Sequence, residues 1–239
     1  MFRIEAERGQ LIDTWKATFA DKWISDPKAP VRGLVDPAKT SFHMSLRHGH
    51  NLFGWKAGDT VRQRGLCSGA IYRTERFMDI EQDARCGSKG PEKNVHIEHT
   101  VPIAELNRQW VAYLRSHRAT IAHAYAWMLC HSVSTAFHID EMVGINGYGG
   151  KTEAFDPMSS WFNRPFMRYT MKDVVPVIWN VLSRPRIDPQ TWTFADHFEQ
   201  IDRLFDLAGC APGEARLVRR EAARMIIDFE MADVVMRAA

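Results

Sequence analysis

The sequence predicts a helix-rich α+β protein, and two observations support this fold class. Several long stretches place apolar residues at the spacing of one helix face, mostly towards the two ends of the chain. Two short stretches in the middle, residues 95–101 and 132–139, carry β-branched or alternating residues that are typical of strands. With 239 residues, of which 45% are hydrophobic, the chain can bury a substantial core.

We divide the chain into three regions: 1–90, which is mostly helical, 91–183, which holds the predicted strands, and 184–239, which is helical again. A first helix, from about Ala6 to Trp23, aligns five apolar side chains: Leu11, Ile12, Trp15, Phe19 and Trp23. A second is predicted from about Ser68 to Arg85. Between Phe42 and Lys89, basic residues alternate with aromatic ones. That composition suits phosphate binding and base stacking, but an ordinary charged surface has it too.

The segment Val95–Pro102 concentrates groups that can titrate and bind metal. Its β-branched residues follow a turn-rich stretch, and proline cannot donate to a sheet ladder, so we predict a short strand that ends near Pro102. Alternation along a strand places His96 with Glu98 on one face and His99 with Ile97 on the other. A bend near His99 would bring Glu98 and His99 into one pocket.

A second strand is predicted further along the chain. Residues Ile103–Leu129 carry apolar side chains at helical spacing and are predicted to form a helix. Ser132–Ile139 then alternates small polar with apolar residues, as a strand does, and Asp140-Glu141 begins a short helix. Gly144–Gly150 is glycine-rich, but the Lys151-Thr152 that follows lacks the spacing of a phosphate-binding loop.

The sequence Glu98-His99-Thr100-Val101-Pro102 resembles the acid-His-x-x-Pro signature of the HNH nucleases, members of the ββα-metal superfamily. The resemblance implies a small strand–strand–helix nuclease core and an endonuclease that hydrolyses phosphodiester bonds, with DNA as the first expected substrate. It also implies that Glu98 ligates one divalent metal and that His99 is the general base. Histidine is suited to this task because its ordinary pKa is about 6.5. Oxygen ligation favours magnesium or manganese.

The remaining parts of such a site are expected further downstream. Asn163 is the candidate for a further metal ligand, while Arg164 and Arg168 are candidates for phosphate contacts and His96 for a substrate contact. Phe166-x-Arg168-Tyr169 resembles the Phe-x-Arg-Tyr element that often accompanies the acid-His-x-x-Pro signature in proteins that carry it. In that arrangement Ile103–Leu129 is an insertion. Asn163 could equally be a turn or cap residue, and the arginines could be surface charges or ion-pair partners.

The end of the chain is predicted to be helical scaffold. Met171–Leu182 is expected to be helical with an interruption at Pro176, and Thr193 or Asp196 is expected to cap a helix that runs through Leu207. A last helix, Glu214–Met236, would pack on the body of the protein or on a partner subunit. A homodimer through this helix would give a single-site nuclease the two sites that double-strand cleavage requires.

Composition excludes several classes of protein. The net charge of +2, from 31 Lys+Arg and 29 Asp+Glu, does not by itself indicate nucleic-acid binding, so a nuclease would need locally concentrated positive charge. The four cysteines have no Cys-x-x-Cys spacing, which excludes a zinc knuckle and favours a reducing, cytoplasmic location. The charged N-terminus and the lack of an 18-residue apolar stretch argue against secretion and a membrane partner.

Two alternatives to the nuclease concern the same segment of the chain. His96-x-Glu98 resembles the His-x-Glu of zinc deaminases, but the Pro-Cys-x-x-Cys pair that those enzymes need is missing from the sequence. A non-catalytic helical binding or assembly protein, in which the acid-His-x-x-Pro match is incidental, stays open.

Overall fold

The structure, a computed structural model, describes residues 2–20, 67–87, 91–116, 119–145, 150–209 and 212–238. Most of the basic and aromatic stretch between Phe42 and Lys89 therefore lies outside the described residues. The described α-helices are α1 (Phe2–Ala20), α2 (Glu75–Met78), α3 (Ile103–Ser116), α4 (Ile121–His131), α5 (Phe194–Leu207) and α6 (Pro212–Ala238). The strands are β1 (Tyr72–Thr74), β2 (Val95–His99), β3 (Ser134–His138) and β4 (Ile178–Asn180). This arrangement confirms the helix-rich α+β class.

The four strands form one mixed sheet in the order β2-β3-β1-β4. β2 lies at an edge and pairs antiparallel with β3 over five residues, from Val95 opposite His138 to His99 opposite Ser134. β1 is parallel to β3 on one side and antiparallel to β4 on the other. The sheet thus takes strands from the predicted regions 1–90 and 91–183.

The central part of the sequence prediction is confirmed in outline. Both predicted strands are present, and a 3-10 helix, Ile139–Met142, follows β3 where a short helix was expected. The single helix predicted over Ile103–Leu129 is wrong, because the structure has α3 and α4 there. Thr120 explains why a separate helix, α4, begins at Ile121: its side chain accepts a hydrogen bond from the backbone N–H of His123 and caps the helix.

Two other helix predictions are wrong. The stretch from Ser68 to Arg85 contains β1, then α2, whose first turn is capped by Thr74. The stretch from Met171 to Leu182 contains the end of a 3-10 helix and then β4. Both strands have only three residues, which is too short for a period-2 pattern to be visible, and their sheet neighbours come from distant parts of the chain.

The C-terminal helices pack as the sequence indicated. α5 begins with a reciprocal capping box between Thr193 and Asp196, so the predicted cap is confirmed. α4 packs against both α5 and α6. α6 buries Val218, Ala222 and Met225, so it lies on the body of the protein.

Buried polar contacts join the sheet to the helices on either side of it. Glu7 of α1 is buried and accepts hydrogen bonds from Arg73 of β1 and from Arg85. The hydroxyl of Tyr72 donates to Nδ1 of His197 at 2.9 Å, and Nε2–H of that ring donates to the carbonyl of Leu129 at 2.9 Å. Each of these contacts pairs a buried donor with an acceptor, which lowers the cost of burying polar groups.

Candidate functional site

The candidate site lies on β2, the edge strand that carries the acid-His-x-x-Pro sequence. Val95, Ile97 and His99 are buried, while His96 and Glu98 are half-buried. This alternation agrees with the predicted sharing of faces. Pairing with β3 continues to His99, so no bend occurs there, and the side chains of Glu98 and His99 point to opposite faces of the sheet.

Glu98 forms an ion pair with Arg168, in which Nη1 of the arginine donates to Oε1 at 2.9 Å. Arg168 is 2% exposed and also donates to the backbone carbonyls of His99, at 3.4 Å, and Ile145, at 2.9 Å. Burial raises the pKa of the Glu98 carboxyl above its ordinary value, and the charge of Arg168 only partly opposes that rise. A half-buried carboxyl with a raised pKa is a frequent feature of functional sites.

The Phe166-x-Arg168-Tyr169 element lies against β2 and β3. Arg168 and Tyr169 are on a 3-10 helix, Met167–Met171, and both are buried. The rings of Tyr169 and Phe137 of β3 pack in a T-shaped arrangement, with ring centroids 5.3 Å apart. Burial, reinforced by the nearby charge of Glu98, raises the pKa of Tyr169, so it stays a neutral phenol. The fold therefore brings this element onto the acid-His-x-x-Pro strand.

The two histidines of β2 have different surroundings. His99 is 5% exposed and shares the buried face with Ile97. His96 accepts a hydrogen bond at Nδ1 from Nζ of Lys93, 3.3 Å away. Burial, with a smaller effect of the Lys93 charge, lowers the pKa of His96 to about 4, so its imidazole is neutral at physiological pH.

Asn163 and Arg164 hold the backbone around the start of α5. Asn163 is buried with φ +59°, and its Oδ1 accepts the backbone N–H of Phe194 at 3.1 Å. Arg164 donates from Nε to the carbonyl of Gln190 at 3.0 Å and from Nη1 to the carbonyl of Asn163 at 3.2 Å. Asn163 therefore acts as a turn or cap residue, as the alternative interpretation of the sequence expected. Arg164 hydrogen-bonds to backbone carbonyls of the protein itself.

The residues fit a divalent metal only in part. Glu98 offers the hard oxygen that magnesium or manganese prefers. Asn163 does not fit as a ligand in this conformation, because its side-chain oxygen accepts the N–H of Phe194. Within the described ranges, no three His, Cys, Asp or Glu side chains come together in a way that could hold a metal ion.

Sequence reasoning missed two lysines beside this face, Lys93 and Lys151. Lys93 contacts His96, and the charge of Lys151 acts on Glu98. Gly150, directly before Lys151, has φ +69° and lies against the Trp161 ring, so that a Cβ at this position would collide with the ring. In the sequence, Lys151 directly follows a Gly-Gly pair. This was the one indication of a functional lysine, but the segment lacks the spacing of a phosphate-binding loop.

Comparison with known proteins gives no relative: no family model, no curated protein and no solved structure matches the chain. Among the described residues, no helix combines the length and the apolar character needed to cross a membrane.

Proposed function

We propose that the protein is an endonuclease of the HNH type that hydrolyses phosphodiester bonds of DNA with a divalent metal, magnesium or manganese. One observation carries the proposal: Arg168 of the Phe-x-Arg-Tyr element makes an ion pair with Glu98 of the acid-His-x-x-Pro element, although 70 residues separate them. Two elements that the resemblance groups together are thus in direct contact.

The order of elements around this contact also supports the proposal. β2 and β3 pair antiparallel, and the short helix Ile139–Met142 follows, which is the strand–strand–helix order of the proposed core. In this interpretation α3 and α4 are an insertion between the two strands.

Each residue of the site has a proposed role. Glu98 would hold the metal, which when bound acts as a Lewis acid on the phosphate and the leaving oxygen. Arg168 orients the Glu98 carboxylate through the 2.9 Å hydrogen bond and offsets its charge. His99 is the proposed general base that removes a proton from the attacking water. Because His99 is 5% exposed and its side chain points to the face opposite Glu98, the proposal requires the end of β2 to rearrange when substrate binds, so that both side chains reach one phosphate.

A second candidate function is a non-catalytic binding or assembly protein. It is favoured by the internal hydrogen bonds of Asn163, Arg164 and Arg168, three residues that the nuclease hypothesis expected to face a metal or a phosphate. In this alternative the Glu98–Arg168 pair only fastens a loop onto the sheet edge.

The test is nicking of supercoiled plasmid by the purified full chain in magnesium or manganese, with EDTA as the metal-free arm. Glu98→Gln removes the proposed metal ligand while keeping the shape of the side chain. The matched control is Glu105→Gln, because Glu105 is also a buried carboxylate in an ion pair with an arginine, Arg108, at 2.6 Å. Circular dichroism and thermal unfolding establish that both variants fold.

We expect metal-dependent nicking by the wild type and by Glu105→Gln, and a loss of at least about 100-fold in Glu98→Gln, since a bound metal contributes several kcal/mol of charge stabilisation to the transition state. Equal nicking by folded Glu98→Gln and the wild type would exclude Glu98 as the metal ligand. No metal-dependent nicking by the wild type would favour the binding protein.

A further inference from the structure

Glu98 and Thr135 stand directly opposite each other on the paired strands β2 and β3. Two side chains in such a pair point to the same face of the sheet, with their Cβ atoms about 5 Å apart. Phe137, two residues after Thr135, shares this face. The Glu98 side chain therefore lies beside that of Thr135.

Two consecutive residues of one 3-10 helix contact these two strands. Arg168 donates a hydrogen bond to Oε1 of Glu98 on β2 at 2.9 Å. Tyr169 lies against β3, because its ring packs T-shaped on Phe137 and its hydroxyl interacts with the hydroxyl of Thr135. The helix is thus attached to both members of the cross-strand pair.

Both attachments are shielded from water. Arg168 is 2% exposed, and Tyr169 and Thr135 are fully buried. Polar contacts in such surroundings meet little competition from water, so the contact between the two hydroxyls fixes the distance of the helix from β3. Because Arg168 directly precedes Tyr169, the same distance sets where the guanidinium meets the Glu98 carboxylate.

We propose that Tyr169 is a positioning residue, which through its contact with Thr135 holds Arg168, and with it the Glu98 carboxylate, in the orientation that metal binding needs. The inference rests on the proposed function, since it takes Glu98 as the metal ligand. Groups that orient a metal ligand from behind typically change the metal affinity by about 10- to 100-fold when they are removed.

The test measures binding of Mn²⁺ alone, without nucleic acid, from the electron paramagnetic resonance signal of free Mn²⁺ during titration of the full chain. Tyr169→Phe removes one hydroxyl and keeps the ring on Phe137. Thr135→Val removes the other hydroxyl and keeps the shape of the side chain. We expect each variant to bind Mn²⁺ about 10-fold more weakly or worse. The double variant should bind no more weakly than the weaker single variant, because the two hydroxyls act through one contact.

Tyr72→Phe is the matched control. Tyr72 is also a fully buried tyrosine, and it lies on the same face of the sheet as the β1 partner of Thr135. Its hydroxyl contacts His197 and Trp192 instead. Loss of this hydroxyl lowers stability without removing a contact of the helix that carries Arg168, so we expect wild-type affinity for Mn²⁺. Circular dichroism establishes that each variant is folded.

The outcomes separate this inference from the proposed function. Mn²⁺ binding that is lost in Glu98→Gln but equal in the wild type and Tyr169→Phe would overturn the positioning role and leave Glu98 as the metal ligand. Equal weakening in Tyr169→Phe and Tyr72→Phe would also overturn it, since the effect would then follow from general destabilisation. No Mn²⁺ binding by the wild type, or unchanged binding in Glu98→Gln, would overturn the proposed metal site and this inference together.

Discussion

Two buried histidines make the stability of the fold dependent on pH. His131 is 1% exposed and His197 is 2% exposed. Burial lowers the pKa of His131 from 6.5 to about 4 and that of His197 from 6.5 to about 3. Both imidazoles are therefore neutral in the folded protein, whereas in the unfolded chain they take up protons as the pH falls below about 6.5.

The sign and size of the effect follow from this difference. Because the unfolded chain binds more protons, the free energy of unfolding falls as the pH falls, starting near the unfolded pKa and ending at the folded values. From about pH 7.5 to about pH 5.0 each histidine removes about 2 kcal/mol, so the pair removes about 4 kcal/mol. His96, whose folded pKa is also lowered, makes a smaller contribution of the same sign because it is only half-buried.

Urea unfolding at about pH 7.5 and about pH 5.0 measures this loss. In His131→Asn the side-chain amide can still donate to the carbonyl of Trp127, which Nδ1 of His131 contacts at 2.8 Å, but the titrating group is gone. In His131→Asn we expect the two histidine positions to lower the free energy of unfolding by about 2 kcal/mol over this pH range, half of the loss in the wild type. The titration of Asp and Glu side chains contributes equally in the wild type and the variant, so it cancels in the comparison. Equal losses in the wild type and the variant would refute the reasoning.

Two further predictions concern buried polar groups. Tyr72→Phe removes the hydroxyl shared by Nδ1 of His197, at 2.9 Å, and Nε1 of Trp192, at 3.2 Å, and should lower the free energy of unfolding by about 1–3 kcal/mol. A change below about 0.5 kcal/mol in urea unfolding would contradict it. Glu7→Gln leaves the buried Arg73 and Arg85 without their carboxylate and should cost about 3–5 kcal/mol in the same assay. The matched variant Glu5→Gln, in an exposed ion pair, should change stability by less than about 1 kcal/mol, and equal effects of the two would argue against the buried cluster.

The elements that sequence predicted well are those with strong local signals. β2 alternates between buried and half-buried side chains over five residues, and α5 begins with a Thr193–Asp196 capping box, so short-range chemistry defines them. β1 and β4 have no such signal. They are strands because the backbone of β1 pairs with β3 and β4, and such pairing over long sequence distances leaves no local pattern.

The candidate site divides in the same way. The face shared by His96 and Glu98 follows from strand alternation and was predicted. The ion pair between Glu98 and Arg168 was not predicted, because the two residues are 70 positions apart and no sequence spacing relates them. Asn163 illustrates a different difficulty, since an asparagine that caps a helix and one that binds a metal look identical in sequence.

The position of β1 in the sheet has a consequence for biosynthesis. Its two neighbours are β3 and β4, which emerge from the ribosome roughly sixty and more than one hundred residues after it. Until Asn180 has been translated, β1 presents at least one unpaired edge, the kind of edge that recruits other chains. The edge of β1 that pairs with β4 is therefore the last edge in the described sheet to find its partner during synthesis.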